Sequence, residues 1–95
     1  MERKITSQVY SYKDVTMTNG ITINADKVTV KDNKVSSIEN AVAISKSQGT
    51  FNFSIYDHGL NGTRTLSISS AQEGVDAQAI AWAFVKMVEE DIANL

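Results

Sequence analysis

The chain changes character once, at Gln72–Glu73–Gly74. Before that point run short Thr-, Ser-, Val- and Ile-rich segments broken by Asn, Asp and Gly. After it, Val75 to Leu95 reads as one amphipathic helix, with no Gly or Pro inside it. Strands first and one long helix last leaves few architectures open. The expectation is an α+β fold: an antiparallel β-meander of four to six strands, with a C-terminal α-helix packed on one face. The strand region spans residues 3–70 and the helix residues 74–94.

Ninety-five residues, 42% of them hydrophobic, suffice for one domain with one thin core. The chain contains no Pro, against a usual share of about 5%. Its turns therefore fall to Asn, Asp and Gly, which suit tight hairpins. Asn19–Gly20 is the strongest hairpin signal, and Lys31–Asp32–Asn33–Lys34 is a second turn. With no Cys, disulfides, thiolate metal sites and a cysteine nucleophile are excluded. No apolar run follows Arg3 and Lys4, so no secretion signal is expected, and the longest apolar run, Ala79–Val85, is too short to span a bilayer. A cytoplasmic protein is the reading these features favour. Two glycosylation sequons, at Asn52 and Asn61, then carry no meaning.

Thr50–Tyr56 is the clearest strand: Phe51, Phe53 and Ile55 face one way, Asn52, Ser54 and Tyr56 the other. Thr63–Ser69 repeats the pattern, with Leu66 and Ile68 inward. In the first strand Ile5, Val9, Val15 and Met17 share one face and Tyr10 and Tyr12 the other, but the alternation is broken; a bulge near Ser11–Lys13 repairs it. A further phase slip separates Ile23 from Val28, with the bend at Asn24–Asp26. The segment 36–48 admits two readings. Ser36 to Glu39 matches a helix capping box, whereas the alternation of Val42 and Ile44 favours a strand from Ala41 to Ser45 and a hairpin loop from Lys46 to Gly49.

On a helical wheel, Ala77, Ile80, Ala81, Phe84, Val85, Met87, Val88, Ile92 and Leu95 fill an arc about 160° wide. The expected core sets Ile80, Phe84, Val88 and Ile92 against Phe51, Phe53, Ile55, Leu66 and Ile68. Trp82 lies about 60° outside that arc. Either a curved sheet or the N-terminal strand covers it, or it marks a partner interface with Ala79, Lys86 and Glu89. Asp91 falls inside the arc, one turn from the end. Solvent there, or pairing with Arg64 or Lys13, accounts for it.

Chemistry-bearing patterns are sparse. His58, the only histidine, sits in a Gly-rich turn beside Asp57 with no nucleophile or second ligand in view. Calcium-loop, Walker and dinucleotide patterns are absent. No catalytic residue, metal or cofactor is expected.

In element order alone, several antiparallel strands followed by one helix, the chain resembles the whirly and PUR-type single-strand binders. The resemblance implies a sheet face where Tyr10, Tyr12 and Tyr56 stack bases and Lys27, Lys31 and Lys34 meet phosphates. No sequence motif of those families is matched. The net charge of −2 opposes this, because backbone binding rests on many cations. Residues 1–50 carry seven basic and five acidic groups, and residues 51–95 two and six. The leading expectation is a small non-enzymatic binding or assembly module acting through protein–protein contacts, as a homodimer; single-stranded nucleic-acid binding through a tyrosine-bearing face is the alternative.

Overall fold

The computed structural model describes residues 7–17, 20–31, 33–45, 49–57, 64–69 and 76–94. Five strands, β1 (Ser7–Thr16), β2 (Thr22–Lys31), β3 (Lys34–Ser45), β4 (Gly49–Asp57) and β5 (Arg64–Ser69), precede one helix, α1 (Ala77–Ala93). The strands form a single antiparallel meander in the order β1-β2-β3-β4-β5, with α1 on one face. The architecture is the expected α+β fold. Within the ambiguous segment 36–48, residues 36–45 form a strand, longer than the expected Ala41–Ser45, because β3 begins at Lys34.

The turns use the residue types that tolerate left-handed backbone. Gly20 has φ 74° and closes the β1–β2 connection by donating to the Met17 carbonyl at 3.1 Å. Asn33, φ 63°, lies between the paired Lys31 and Lys34. Asn19, the loop residues 46–48, His58 with its Gly-rich turn, and the switch at Gln72–Gly74 lie outside the described residues.

The core forms between α1 and one sheet face. Ile23, Val28, Ile38, Phe53, Ile55, Phe84 and Val88 are all fully enclosed. Buried positions on α1 are Ala77, Ala81, Phe84, Val85, Val88 and Ile92, a stripe within the expected arc. Ile80, expected in the core, is only half-buried, as are Leu66 and Ile68 on the edge strand. Phe84 is the hub. Its ring meets Tyr12 of β1 edge-on at 6.0 Å and 85°, and Phe53 of β4 at 6.0 Å and 71°. The helix starts at an N-cap: the Asp76 carboxylate accepts from the Ala79 N–H at 3.1 Å.

The broken alternation in β1–β3 has a common cause. Register jumps fall between Tyr10 and Tyr12 and between Tyr12 and Val15 on β1, and between Ile38 and Ala41 on β3. On β2 the neighbours Asp26 and Lys27 are both exposed, and on β3 so are Glu39 and Asn40. These irregularities lie level with one another, since Asn24↔Val42 and Lys27↔Glu39 bracket them. Asp14 and Asn40 take positive φ, 53° and 50°, as bulged residues do. Each bulge frees a backbone N–H, and a neighbouring strand fills it. Asp14 N–H donates to Asn24 Oδ1 at 3.0 Å, and Asn40 N–H to Ser54 Oγ at 3.1 Å. Aligned bulges bend a sheet.

The bulges reverse the expected faces of β1. Tyr10 pairs with Val28 and Tyr12 with Ala25, both core residues, so the tyrosines turn toward the helix. Val9, expected on the same face as Val15, pairs with Thr29 instead and is 59% exposed. Phe84→Ala is expected to lower stability by about 3–5 kcal/mol in urea denaturation, because it removes an aromatic ring from a filled site. Asp76→Ala is expected to cost about 1 kcal/mol through the lost cap.

Candidate functional site

Two surfaces carry the residues that the sequence singles out. The first is the flank of α1 that faces β5. Residues 79, 82, 86 and 89 recur at three- and four-residue spacing, so they form one stripe. Ala79 and Lys86 are exposed, and Trp82 and Glu89 half-buried. Trp82 packs against the core edge, and the Arg64 guanidinium of β5 lies over its ring, 5.4 Å from the centroid. The cover over Trp82 within the chain is therefore an arginine from the edge strand.

Glu89 is engaged more tightly than a surface carboxylate. Its Oε2 accepts from the Val35 N–H at 2.8 Å and from Arg64 Nη1 at 3.1 Å. Arg64 Nη1 also donates to the Val35 carbonyl at 3.2 Å. Both side chains are 27% exposed. The geometry follows from where β4 ends. Val35 pairs with Val30 of β2 on one side, and on the other the last described β3–β4 pair is Ser37↔Tyr56. Glu89 supplies the acceptor and Arg64 the donor that a neighbouring strand would otherwise give it. One ion pair thus joins β3, β5 and α1.

The second surface is the sheet face opposite the helix. Rows of directly paired residues cross it. One runs Val9, Thr29, Ser37, Tyr56, Thr65; a second Asn24, Val42, Asn52, Ser69; a third Thr16, Thr22, Ile44, Thr50. Hydroxyls, amides and a few apolar side chains dominate. Among the described residues the exposed large hydrophobics are Val9, Ile44 at 44% and Tyr56 at 48%, and all three belong to this face. Ser54, also on it, is buried against the β3 bulge.

The tyrosines divide between the faces. Tyr10 and Tyr12 point to the helix side, and Tyr56, which pairs with Ser37 and Thr65, points to the other. No one face presents all three, because the β1 bulges turn Tyr10 and Tyr12 inward. Tyr10 donates its hydroxyl to Gln8 Oε1. Lys27 pairs across strands with Glu39 at 3.6 Å, while Lys31 and Lys34 face each other at the β2–β3 hairpin. Among the described residues no three His, Cys, Asp or Glu side chains converge to hold a metal ion, and no helix is long and apolar enough to cross a membrane.

Asp91 is exposed, as the solvent reading of it has it, and its partner is neither Arg64 nor Lys13. Its Oδ2 accepts from the Tyr12 hydroxyl at 2.9 Å. Partial burial, then the hydrogen bond to Asp91 and its negative charge, push the Tyr12 phenol up to about 12. The sequence sets Glu89 beside Trp82 in the candidate partner interface and Tyr12 on an open face. The bulge expected near Ser11–Lys13 is present, but it turns Tyr12 inward instead of keeping it on the open face, and the chain offers no local cue for the Glu89–Arg64 contact.

Two outcomes check this geometry. Glu89→Ala is expected to cost about 1–3 kcal/mol, because Val35 loses its acceptor; a cycle with Arg64→Ala should give less than the sum of the two single losses. Tyr12 keeps its proton longer folded (to about 12) than unfolded (about 10). The folded state then binds more protons across that window, so this stabilisation is complete below the unfolded value and is lost as pH rises through the folded one. Denaturation measured at stepwise rising alkaline pH should show a decline that Tyr12→Phe flattens. A scan against family models matched nothing, and comparisons with curated proteins and with solved structures found no match either.

Proposed function

We propose that the protein is a non-enzymatic binding or assembly module that works through protein–protein contacts, as a cytoplasmic homodimer. The observation that carries this reading is the half-sealed sheet. One helix covers one face, while the other gathers the exposed Val9, Ile44 and Tyr56 among Thr, Ser and Asn side chains, with Lys27, Glu39, Lys31 and Lys34 on its β2–β3 part. Faces of this composition suit a protein partner, since they place apolar contacts within a field of hydrogen-bonding groups. The absence of Cys supports a reducing setting without requiring one.

The stripe Ala79, Trp82, Lys86 adds a second contact region. Arg64 leaves Trp82 half-buried, and a partner stacking over the remainder gains an aromatic anchor. Nucleic-acid binding has weaker support, because the three tyrosines do not share a face and Lys27 is already paired with Glu39.

Sedimentation equilibrium across the micromolar range tests the proposal. A concentration-dependent monomer–dimer equilibrium is the expected outcome. A strict monomer at the highest concentrations would overturn the homodimer.

A further inference from the structure

The two edges of the meander are not alike. β1 carries two register jumps and a positive-φ Asp14, devices that twist an edge away from a new neighbour. β5 carries none. It pairs residue for residue with β4 from Asn52↔Ser69 to Asp57↔Arg64. Its one charged residue, Arg64, turns back to Glu89 and Trp82, and Thr65 to Ser69 contain no Lys, Glu, Asp or Pro. Natural edges are usually guarded by such residues, and an unguarded regular edge is a template for another strand.

The pattern of β5 indicates which strand. Read about Ser67, the segment Thr65-Leu66-Ser67-Ile68-Ser69 is the same in both directions: polar, apolar, polar, apolar, polar. From this self-complementarity we infer that β5 is the joint of the homodimer, paired antiparallel with β5 of a second copy about a two-fold axis at Ser67. The inference rests on the homodimer reading above. Directly opposed residues of an antiparallel pair share a face, so Leu66 meets the partner copy's Ile68 on the helix side and Ser67 meets its own counterpart on the other. Leu66 and Ile68 are half-buried in the single chain, and the joint completes their burial. Such an interface is isologous: each copy gives the same surface that it accepts.

The same axis sets the two copies of α1 antiparallel on one side of the joined sheet. The Trp82 flank of α1 lies over β5, as the Arg64 contact shows. It therefore borders the joint, where Ala79 and Lys86 are exposed. Five strand residues alone fall short of the roughly 800 Å² per partner that a stable dimer needs. The helix flank adds the remaining contact. The sheet faces opposite the helices then run on from one copy to the next as one surface.

Residue 67 opposes itself across the axis, which makes the test specific. Ser67 is exposed, so neither Ser67→Lys nor Ser67→Glu disturbs the core, and circular dichroism confirms the fold of each. Like charges directly opposed weaken each variant's self-association roughly two- to fivefold, and mixing the two variants restores association to wild-type strength or better. Hydrogen exchange gives an independent readout: in the wild-type dimer the amides from Leu66 to Ser69 are all slowed, and in either variant alone alternate ones exchange fast. A wild-type dimer that both substitutions leave unchanged would place the joint elsewhere and overturn the inference, with the homodimer reading intact. A monomeric wild type would remove both.

Discussion

A seventeen-residue helix about 26 Å long must seal a five-stranded sheet. It can do so on one face only, and the rest of the structure follows from that shortage. The covered face gathers Ile, Val, Phe and Ala. The uncovered face must be built from side chains that tolerate water, and Thr, Ser and Asn supply it. At the flanks of the helix, burial is incomplete. There the chain relies on amphipathic side chains: Tyr12 with its hydroxyl on Asp91 toward β1, and Trp82 beneath Arg64 toward β5. Each keeps an apolar body against the core and a polar partner at the surface.

The aligned bulges are the sheet's own response to the same shortage. A flat five-stranded face is wider than one helix, which spans only about 10 Å across. The bulges at Asp14, Asp26–Lys27 and Glu39–Asn40 bend the sheet. The backbone groups that the bends release are taken by Asn24 and Ser54, which explains why a serine is buried at the centre of an otherwise wet face. At the sheet's end the Val35 backbone is held by side chains, its N–H by Glu89 and its carbonyl by Arg64.

Much of this was legible in the sequence wherever a single periodicity held. β4 and β5 alternate cleanly, and α1 carries one stripe, so their inward residues were readable one by one. Turn chemistry also showed through: Gly20 and Asn33 adopt the left-handed backbone that their residue types favour. The reading failed where a bulge shifts the phase. Val9 and the tyrosines exchanged faces because a single inserted residue inverts every side chain before it. The clamp at Val35 stayed hidden for another reason. Arg64 and Glu89 are 25 positions apart on different elements, and what unites them is the Val35 backbone of a third, which no local pattern encodes. The candidate interface was half visible: Trp82 stood out by its angle on the wheel, whereas the outer face emerged only when the strand pairs lined up.

Trp82 is the chain's only tryptophan, and its ring lies under a guanidinium that also holds β3 and the C-terminal half of α1. Any event that lifts the helix from β5, or that closes another surface over the indole, changes the charge and the water around that one chromophore. The protein thus carries a built-in optical gauge at the junction of its edge strand and its helix. Its emission registers the docking of α1 on the edge strand without an added label.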